Sequence, residues 1–225
     1  MTARGWLDCP DPWQMLPVLR GQATDRKYRL FAIACCRQIK PLFTDERTRR
    51  ALEVCERFVE GLADLETLQK AFDGALAVYD ENPDDSQGVE SSALAMASTC
   101  WTNDEKRETS LIDVVDNTIG VACFFFPWKN AKQIQRRRVC RLLREIFGNP
   151  FCPVSLSAGL LAWKEATVPR MAQAIYNEHA FELLPILGDA MEEAGCTDEL
   201  ILGHCRGPGE HFRGCWLVDA ILGNN

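Results

Sequence analysis

The sequence predicts an all-α fold, an irregular multi-helix bundle with a smaller C-terminal helical unit. Apolar residues recur at intervals of three and four along most of the chain, which is the pattern of amphipathic helices. Capping residues, prolines and glycines interrupt this pattern often, so the predicted helices are short. Residues 121–126 are the best candidate for a strand, and a buried helix end explains them equally well.

Four helices are predicted in the first 80 residues. Asp11 and Thr44 are the predicted caps of the first and third helices. The second helix is predicted to begin at residues 24–25 and the fourth at about Asp64. The first helix is expected to end at Gly21, and Pro41 is expected to end or kink the second. The apolar residues expected on the buried face of the third are Leu52, Cys55, Phe58, Val59 and Leu62.

Two longer helices are predicted in the middle of the chain. A polar loop at residues 82–88 and a helix of small residues at 89–101 precede them. Residues 110–125 and 129–147 then carry helical patterns, and Gly148 followed by Pro150 ends the second.

Shorter helices are predicted in the last third. Thr167 opens one, residues 181–194 form another that Gly195 closes, and Asp198 caps a third. A last helix is expected to carry Cys215, Trp216, Val218, Ile221 and Leu222. We predict an N-terminal helical bundle at residues 1–147 and a C-terminal unit of short helices at 148–225 that packs on it. One continuous domain is the alternative.

Composition narrows the class of protein. The 225 residues carry a formal net charge of -7, which disfavours nucleic acid as a partner. No apolar run is long enough to span a membrane, and residues 1–10 lack the apolar core of a signal peptide. Eleven cysteines, an odd number, fall largely within apolar helical patterns. Reduced, buried thiols are therefore expected, and the cytoplasm is the predicted compartment.

Several segments carry a family likeness. They are residues 6–12, 25–37, 144–154, 184–196 and 204–219. In these segments the chain resembles an uncharacterised bacterial family of helical proteins. Residues 80–125 do not share the likeness. The resemblance implies a helical fold and implies no activity.

The C-terminal tail concentrates side chains that bind metals. His204, Cys205, His211 and Cys215 lie within twelve positions around a Gly-Pro-Gly break. If residues 212–222 and the residue before them were helical, His211 and Cys215 would share one face. Four nitrogen and sulfur ligands suit tetrahedral zinc. The adjacent pair His204 and Cys205 is awkward to aim at one ion, so a tight turn with cysteines packed inward is the alternative.

The same tail allows two other readings. A cysteine nucleophile needs a histidine within hydrogen-bond reach, which Cys215 with His211 or Cys205 with His204 would supply. A Cys/His enzyme is thus an alternative, although no oxyanion loop or nucleophile motif accompanies either pair. Residues 209–213 also lead toward a predicted helix start, where an anion would be favoured.

A basic helix is the second candidate site. Arg137, Arg138, Arg141 and Arg144 form the arginine face of helix 129–147, and no acidic residue precedes Glu145 in that helix. Such a face suits an acidic or phosphate-bearing partner, or acids of the chain itself. The opposite, buried face is predicted to contain Ala131, Val139, Leu142, Leu143 and Ile146.

The sequence favours a non-enzymatic role. No complete catalytic constellation and no cofactor fingerprint is present. We therefore predict a protein-interaction or adaptor module that binds another protein through a groove between helices or the arginine face. The alternative is a small zinc-binding helical unit at the C-terminal His/Cys cluster.

Overall fold

The computed structural model describes residues 1–82, 107–125 and 129–224, and in these ranges it confirms the all-α prediction. The described residues form eleven α-helices and no strand. The helices are α1 (Ala3–Asp8), α2 (Pro12–Met15), α3 (Asp25–Ile39), α4 (Glu46–Val59), α5 (Leu65–Glu81), α6 (Arg107–Phe125), α7 (Ala131–Phe147), α8 (Ala158–Glu178), α9 (Leu184–Glu193), α10 (Glu199–Arg206) and α11 (Trp216–Leu222). Short 3₁₀ turns cover Leu16–Leu19, Lys40–Leu42 and Phe181–Leu183.

Side-chain caps begin most of the helices predicted in the first 80 residues. Asp11, Thr24 and Asp64 each accept a hydrogen bond from a first-turn amide, which confirms the predicted cap at Asp11 and the two predicted helix starts. Thr44 was the wrong cap for α4. Asp45 takes that position, because its Oδ1 lies 2.7 Å from the Arg47 amide nitrogen.

The end of α4 also differs from the prediction. Leu52 and Cys55 are buried, whereas Leu62 is 65% exposed. The helix ends at Val59, and Gly61 then adopts a φ of +71°. The left-handed glycine turns the chain, so the helical spacing that placed Leu62 on the buried face no longer applies.

The middle of the chain is helical where it is described. Residues 121–125 belong to α6, so the strand candidate is a helix end there. Cys123 is half-buried rather than fully in the core. The helix predicted for residues 89–101 lies outside the described residues.

Helix α7 matches its predicted pattern closely. It ends at Phe147, where Gly148 adopts a φ of +64°. Every residue predicted for its buried face is buried: Ala131, Val139, Leu142, Leu143 and Ile146.

Helix α8 has a break near its start. Residues 163–166 leave the helical conformation, and three of them, Lys164, Glu165 and Ala166, have positive φ. The regular helix resumes at Thr167, which is the predicted start.

The chain divides into two compact units, Met1–Arg144 and Glu145–Asn225. The division falls in the last turn of α7, whereas the predicted boundary followed residue 147. In the first unit, Ile39, Leu52 and Leu68 belong to one buried apolar cluster. In the second, Ile175, Leu184 and Val218 belong to another. Among the described helices, none combines the length and apolar character that crossing a bilayer requires.

Candidate metal centre

Four potential metal ligands converge in the second unit. The ligand atoms of Glu145, His204, His211 and Cys215 all lie within 4.8 Å of one another. We call these four residues the Glu–His–His–Cys cluster. Three of them were predicted as ligands from the tail, and Glu145 was not.

Three segments of the chain supply the cluster. Glu145 lies in the last turn of α7, and His204 lies in α10. His211 and Cys215 come from the connection between α10 and α11. Because α11 begins only at Trp216, the helical spacing assumed for His211 and Cys215 was wrong.

A tight turn brings Cys215 to the cluster. The Cys215 amide donates to the Phe212 carbonyl oxygen at 2.9 Å, which closes a four-residue turn. Gly214, the third residue of that turn, has a φ of +100°. A side chain is disfavoured at this φ, so glycine allows the turn that a helix was expected to provide.

The four side chains already interact with one another. His211 Nδ1 lies 2.9 Å from Glu145 Oε1, and His204 Nε2 lies 3.2 Å from Cys215 Sγ. His204 Nε2 is also 3.9 Å from Glu145 Oε2. A tetrahedral ion with bonds of about 2.0–2.3 Å holds its ligands roughly 3.3–3.8 Å apart. The separations within the cluster, from 2.9 Å to at most 4.8 Å, bracket this range.

The cluster is shielded from solvent. The side chains of Glu145 and His211 are 10% and 8% exposed, and that of His204 is 15% exposed. Cys215 is fully buried. In addition, His211 Nε2 is buried with no hydrogen-bond partner in the described residues. A buried polar cluster of this kind is costly unless its members are paired or bind a metal.

Burial also sets the protonation of the cluster. Burial, together with the smaller effect of neighbouring His211, lowers the pKa of His204 to about 3. The His204 imidazole is therefore neutral near pH 7, as a metal ligand must be. Burial, followed by the charge of Glu145, raises the pKa of the Cys215 thiol well above its usual value.

The indole of Trp216 covers His204. Its Nε1 donates to His204 Nδ1 at 3.2 Å, and the two ring centroids lie 4.7 Å apart. A Cβ atom on Gly148, just after α7, would approach Trp216 Cγ to 3.1 Å. Glycine at that position thus lets the indole pack against the end of the helix that carries Glu145.

Cys205 is not part of the cluster, contrary to the predicted ligand set. It is buried at 1% exposure, on α10. A Cβ on Gly188 of α9 would approach Cys205 Cβ to 2.8 Å, so Cys205 packs against that helix. Adjacent helical residues point about 100° apart, which explains why His204 and Cys205 do not share a site.

Neither cysteine has the properties of a nucleophile. Burial raises the pKa of Cys205 to about 12, with Cys196 contributing. A catalytic thiol needs a lowered pKa and access to substrate, and Cys215 also lacks both.

The anion site expected near residues 209–213 is absent from the described structure. Those residues precede α11 and do not form its first turn. Arg206 pairs with Asp189 and Glu192 at 2.6 Å and 2.5 Å. The Arg213 guanidinium lies over the Tyr176 ring, 5.0 Å from its centroid.

The arginine face separates into two parts. Arg137, Arg138 and Arg141 are exposed, and none of them pairs with an acid among the described residues. Arg144 is half-buried and donates to the carbonyl oxygens of Trp6 and Cys9. Including Arg144 in an exposed surface was therefore wrong. We call Arg137, Arg138 and Arg141 the three-arginine surface.

Glu145 is the member of the Glu–His–His–Cys cluster that the sequence did not reveal. It follows a long basic stretch without other acids, which is its only distinguishing signal. Helical periodicity places it away from the buried face of α7. His211, its partner, is 66 positions away in the chain, and local patterns do not detect such a contact.

Comparisons with known proteins found no matching family model, no matching curated protein and no matching solved structure. The resemblance to an uncharacterised bacterial family stays a prediction.

Proposed function

We propose that the second unit is a metal-binding helical unit in which one divalent ion, zinc by preference, is held by Glu145, His204, His211 and Cys215. The single observation that supports this most is the convergence of their ligand atoms within 4.8 Å. Nitrogen, sulfur and carboxylate ligands together suit zinc better than magnesium or calcium, which favour oxygen alone.

The proposed role of the ion is structural. Four protein ligands complete a tetrahedral shell and leave no open position for water or substrate. The ligands come from α7, α10 and the connection that leads into α11, so one ion would join these segments of the second unit. The described cysteines are all free thiols, which fits our proposal that the protein works in the reducing cytoplasm.

The test compares two cysteines of the same tail. Protein stripped with a chelator is titrated with Co²⁺, which gives a thiolate-to-cobalt absorption band when a cysteine is a ligand. We expect wild type and Cys205→Ser to bind one equivalent with this band. Cys215→Ser should lose the band, with helicity checked by circular dichroism.

Two results would overturn the proposal. One is wild-type protein that binds neither Co²⁺ nor Zn²⁺, which would make the Glu–His–His–Cys cluster a buried ion pair of His211 and Glu145 with a neighbouring thiol. The other is a band that Cys205→Ser removes and Cys215→Ser retains.

A second candidate function is binding of an acidic protein at the three-arginine surface. This deepens the adaptor role predicted from the sequence, and a specific observation supports it: Arg137, Arg138 and Arg141 are exposed and unpaired among the described residues. Three adjacent cations on a chain of net charge -7 attract an acidic segment by local complementarity.

Charge reversal tests this surface. We expect a labelled oligoglutamate peptide to bind wild type in low salt and to bind the triple variant Arg137→Glu, Arg138→Glu, Arg141→Glu roughly tenfold more weakly, at about 0.5 kcal/mol per pair. The matched control reverses three exposed cations elsewhere: Arg4, Arg50 and Lys70. Equal losses of peptide affinity in both triple variants would show that net charge alone determines binding, and this would contradict the candidate function.

A further inference from the structure

A cleft in the first unit shares no residue with either site above. Its volume is about 320 Å³, at the lower end of the range for small-molecule sites. Helices α2, α6 and α7 line it. The lining residues are Trp13, Asp116, Ile119, Gly120, Cys123, Lys132 and Arg136.

The wall of the cleft combines apolar surface with two cations. Lys132 and Arg136 lie one turn apart on α7, and neither forms an ion pair with a described residue. The Arg136 guanidinium stacks on the Trp13 ring, 4.7 Å from its centroid. Its Nε atom is buried and has no hydrogen-bond acceptor in the described structure.

The single acid of the cleft is already engaged. Asp116 Oδ1 accepts a hydrogen bond from Trp13 Nε1 at 2.9 Å. Asp116 therefore positions the indole on which Arg136 stacks. Two cations against one carboxylate leave the cleft with a net positive charge, on a protein whose net charge is -7.

We propose that this cleft binds a small organic anion, an apolar body that carries one carboxylate, sulfonate or phosphate group. The anionic group pairs with the ammonium of Lys132 and with the half-buried guanidinium of Arg136, the Nε atom excepted because it is closed to solvent. The apolar body lies against Ile119 and over Gly120.

Gly120 provides the sharpest test. A Cβ at this position would meet no atom of the described residues within 4 Å. Its helical backbone accepts any side chain, and helix propensity favours most residues over glycine. Gly120→Leu therefore fills the cleft without straining the fold. Gly159→Leu in α8, where a Cβ also meets nothing within 4 Å, is the matched control.

The probe is anilinonaphthalene sulfonate, an aromatic anion whose fluorescence rises in apolar surroundings. We expect saturable binding to the full chain, unchanged in Gly159→Leu and at least tenfold weaker in Gly120→Leu. Arg136→Gln should weaken binding roughly tenfold, because a charge-assisted hydrogen bond is lost. Asp116→Asn should tighten binding of the probe severalfold. The change removes the repulsion between the carboxylate and the anion, and it keeps an Oδ1 atom that accepts the Trp13 N–H.

Thermal unfolding and circular dichroism confirm that each variant is folded. The proposal is overturned if wild type shows no saturable binding, if Gly120→Leu binds like wild type, or if Asp116→Asn weakens binding. Unchanged binding in Gly120→Leu would assign the fluorescence to apolar surface elsewhere on the chain.

Discussion

The hydrogen bond between Trp216 and His204 places the proton of that imidazole. An indole N–H only donates, so His204 Nδ1 must accept. Neutral His204 therefore carries its proton on Nε2, which faces Cys215 Sγ at 3.2 Å. A metal ion bound at Nε2 would move that proton to Nδ1, opposite the indole donor. Trp216 must then turn away from His204 when metal binds.

The residue-scale prediction follows from this conflict. Trp216→Phe keeps an aromatic ring against Gly148 and removes the indole donor. We expect it to bind Zn²⁺ about fivefold more tightly, since no hydrogen bond of about 1 kcal/mol is lost on binding. Titration against a competing chelator measures the change, with Trp163→Phe as the control. Weaker binding by Trp216→Phe would mean that the indole supports the site.

Helix α7 shows what a sequence pattern reveals about an element and what it does not. Its apolar face, its glycine end and the exposure of Arg137, Arg138 and Arg141 follow from periodicity and capping alone. The role of Arg144 does not, because the carbonyl groups that it binds lie 138 and 135 positions away. The same reason hides Glu145. The structural roles of both residues depend on contacts that are distant in sequence, and local spacing does not indicate such contacts.

Arg144 gives the prediction at this scale. Arg144→Ala leaves the carbonyl groups of Trp6 and Cys9 without their charged donor. We expect the free energy of unfolding to fall by about 2–3 kcal/mol. Arg141→Ala, three residues earlier on the same helix and exposed, should change it by less than about 0.5 kcal/mol. Denaturant titration compares the two, and equal effects would contradict the structural role of Arg144.

Across the whole molecule, the all-α class and most helix starts were predictable, because caps and apolar stripes are local. The Glu–His–His–Cys cluster was predictable only in part. Three of its residues lie close together in the tail, yet Gly214 rather than a helix brings Cys215 to the cluster. Cys205, next to His204 in sequence, packs against α9 instead. Proximity in sequence identified the C-terminal tail as the region of the cluster. The conformation of the backbone determines which of its side chains belong to the cluster.

Buried thiols make the free energy of unfolding depend on pH in the alkaline range. Burial raises the pKa of Cys140 to about 12, from 9.0 when exposed. The contribution of this thiol to the free energy of unfolding is complete below pH 9. It is lost as the pH rises toward 12, because the unfolded chain releases the proton first. We expect the free energy of unfolding to fall by up to about 1.4 kcal/mol per pH unit for this thiol. Cys140→Ala should flatten that slope, and an unchanged slope would contradict the assignment.

X-ray absorption at the zinc edge of the zinc-loaded protein tests the central claim most directly, since it counts the ligands around the ion. The proposed site predicts one sulfur at about 2.3 Å and three nitrogen or oxygen ligands at about 2.0–2.1 Å. Cys215→Ser should remove the sulfur and Cys205→Ser should leave it. A shell without sulfur in the wild type, or one with two sulfurs, would contradict coordination by Glu145, His204, His211 and Cys215.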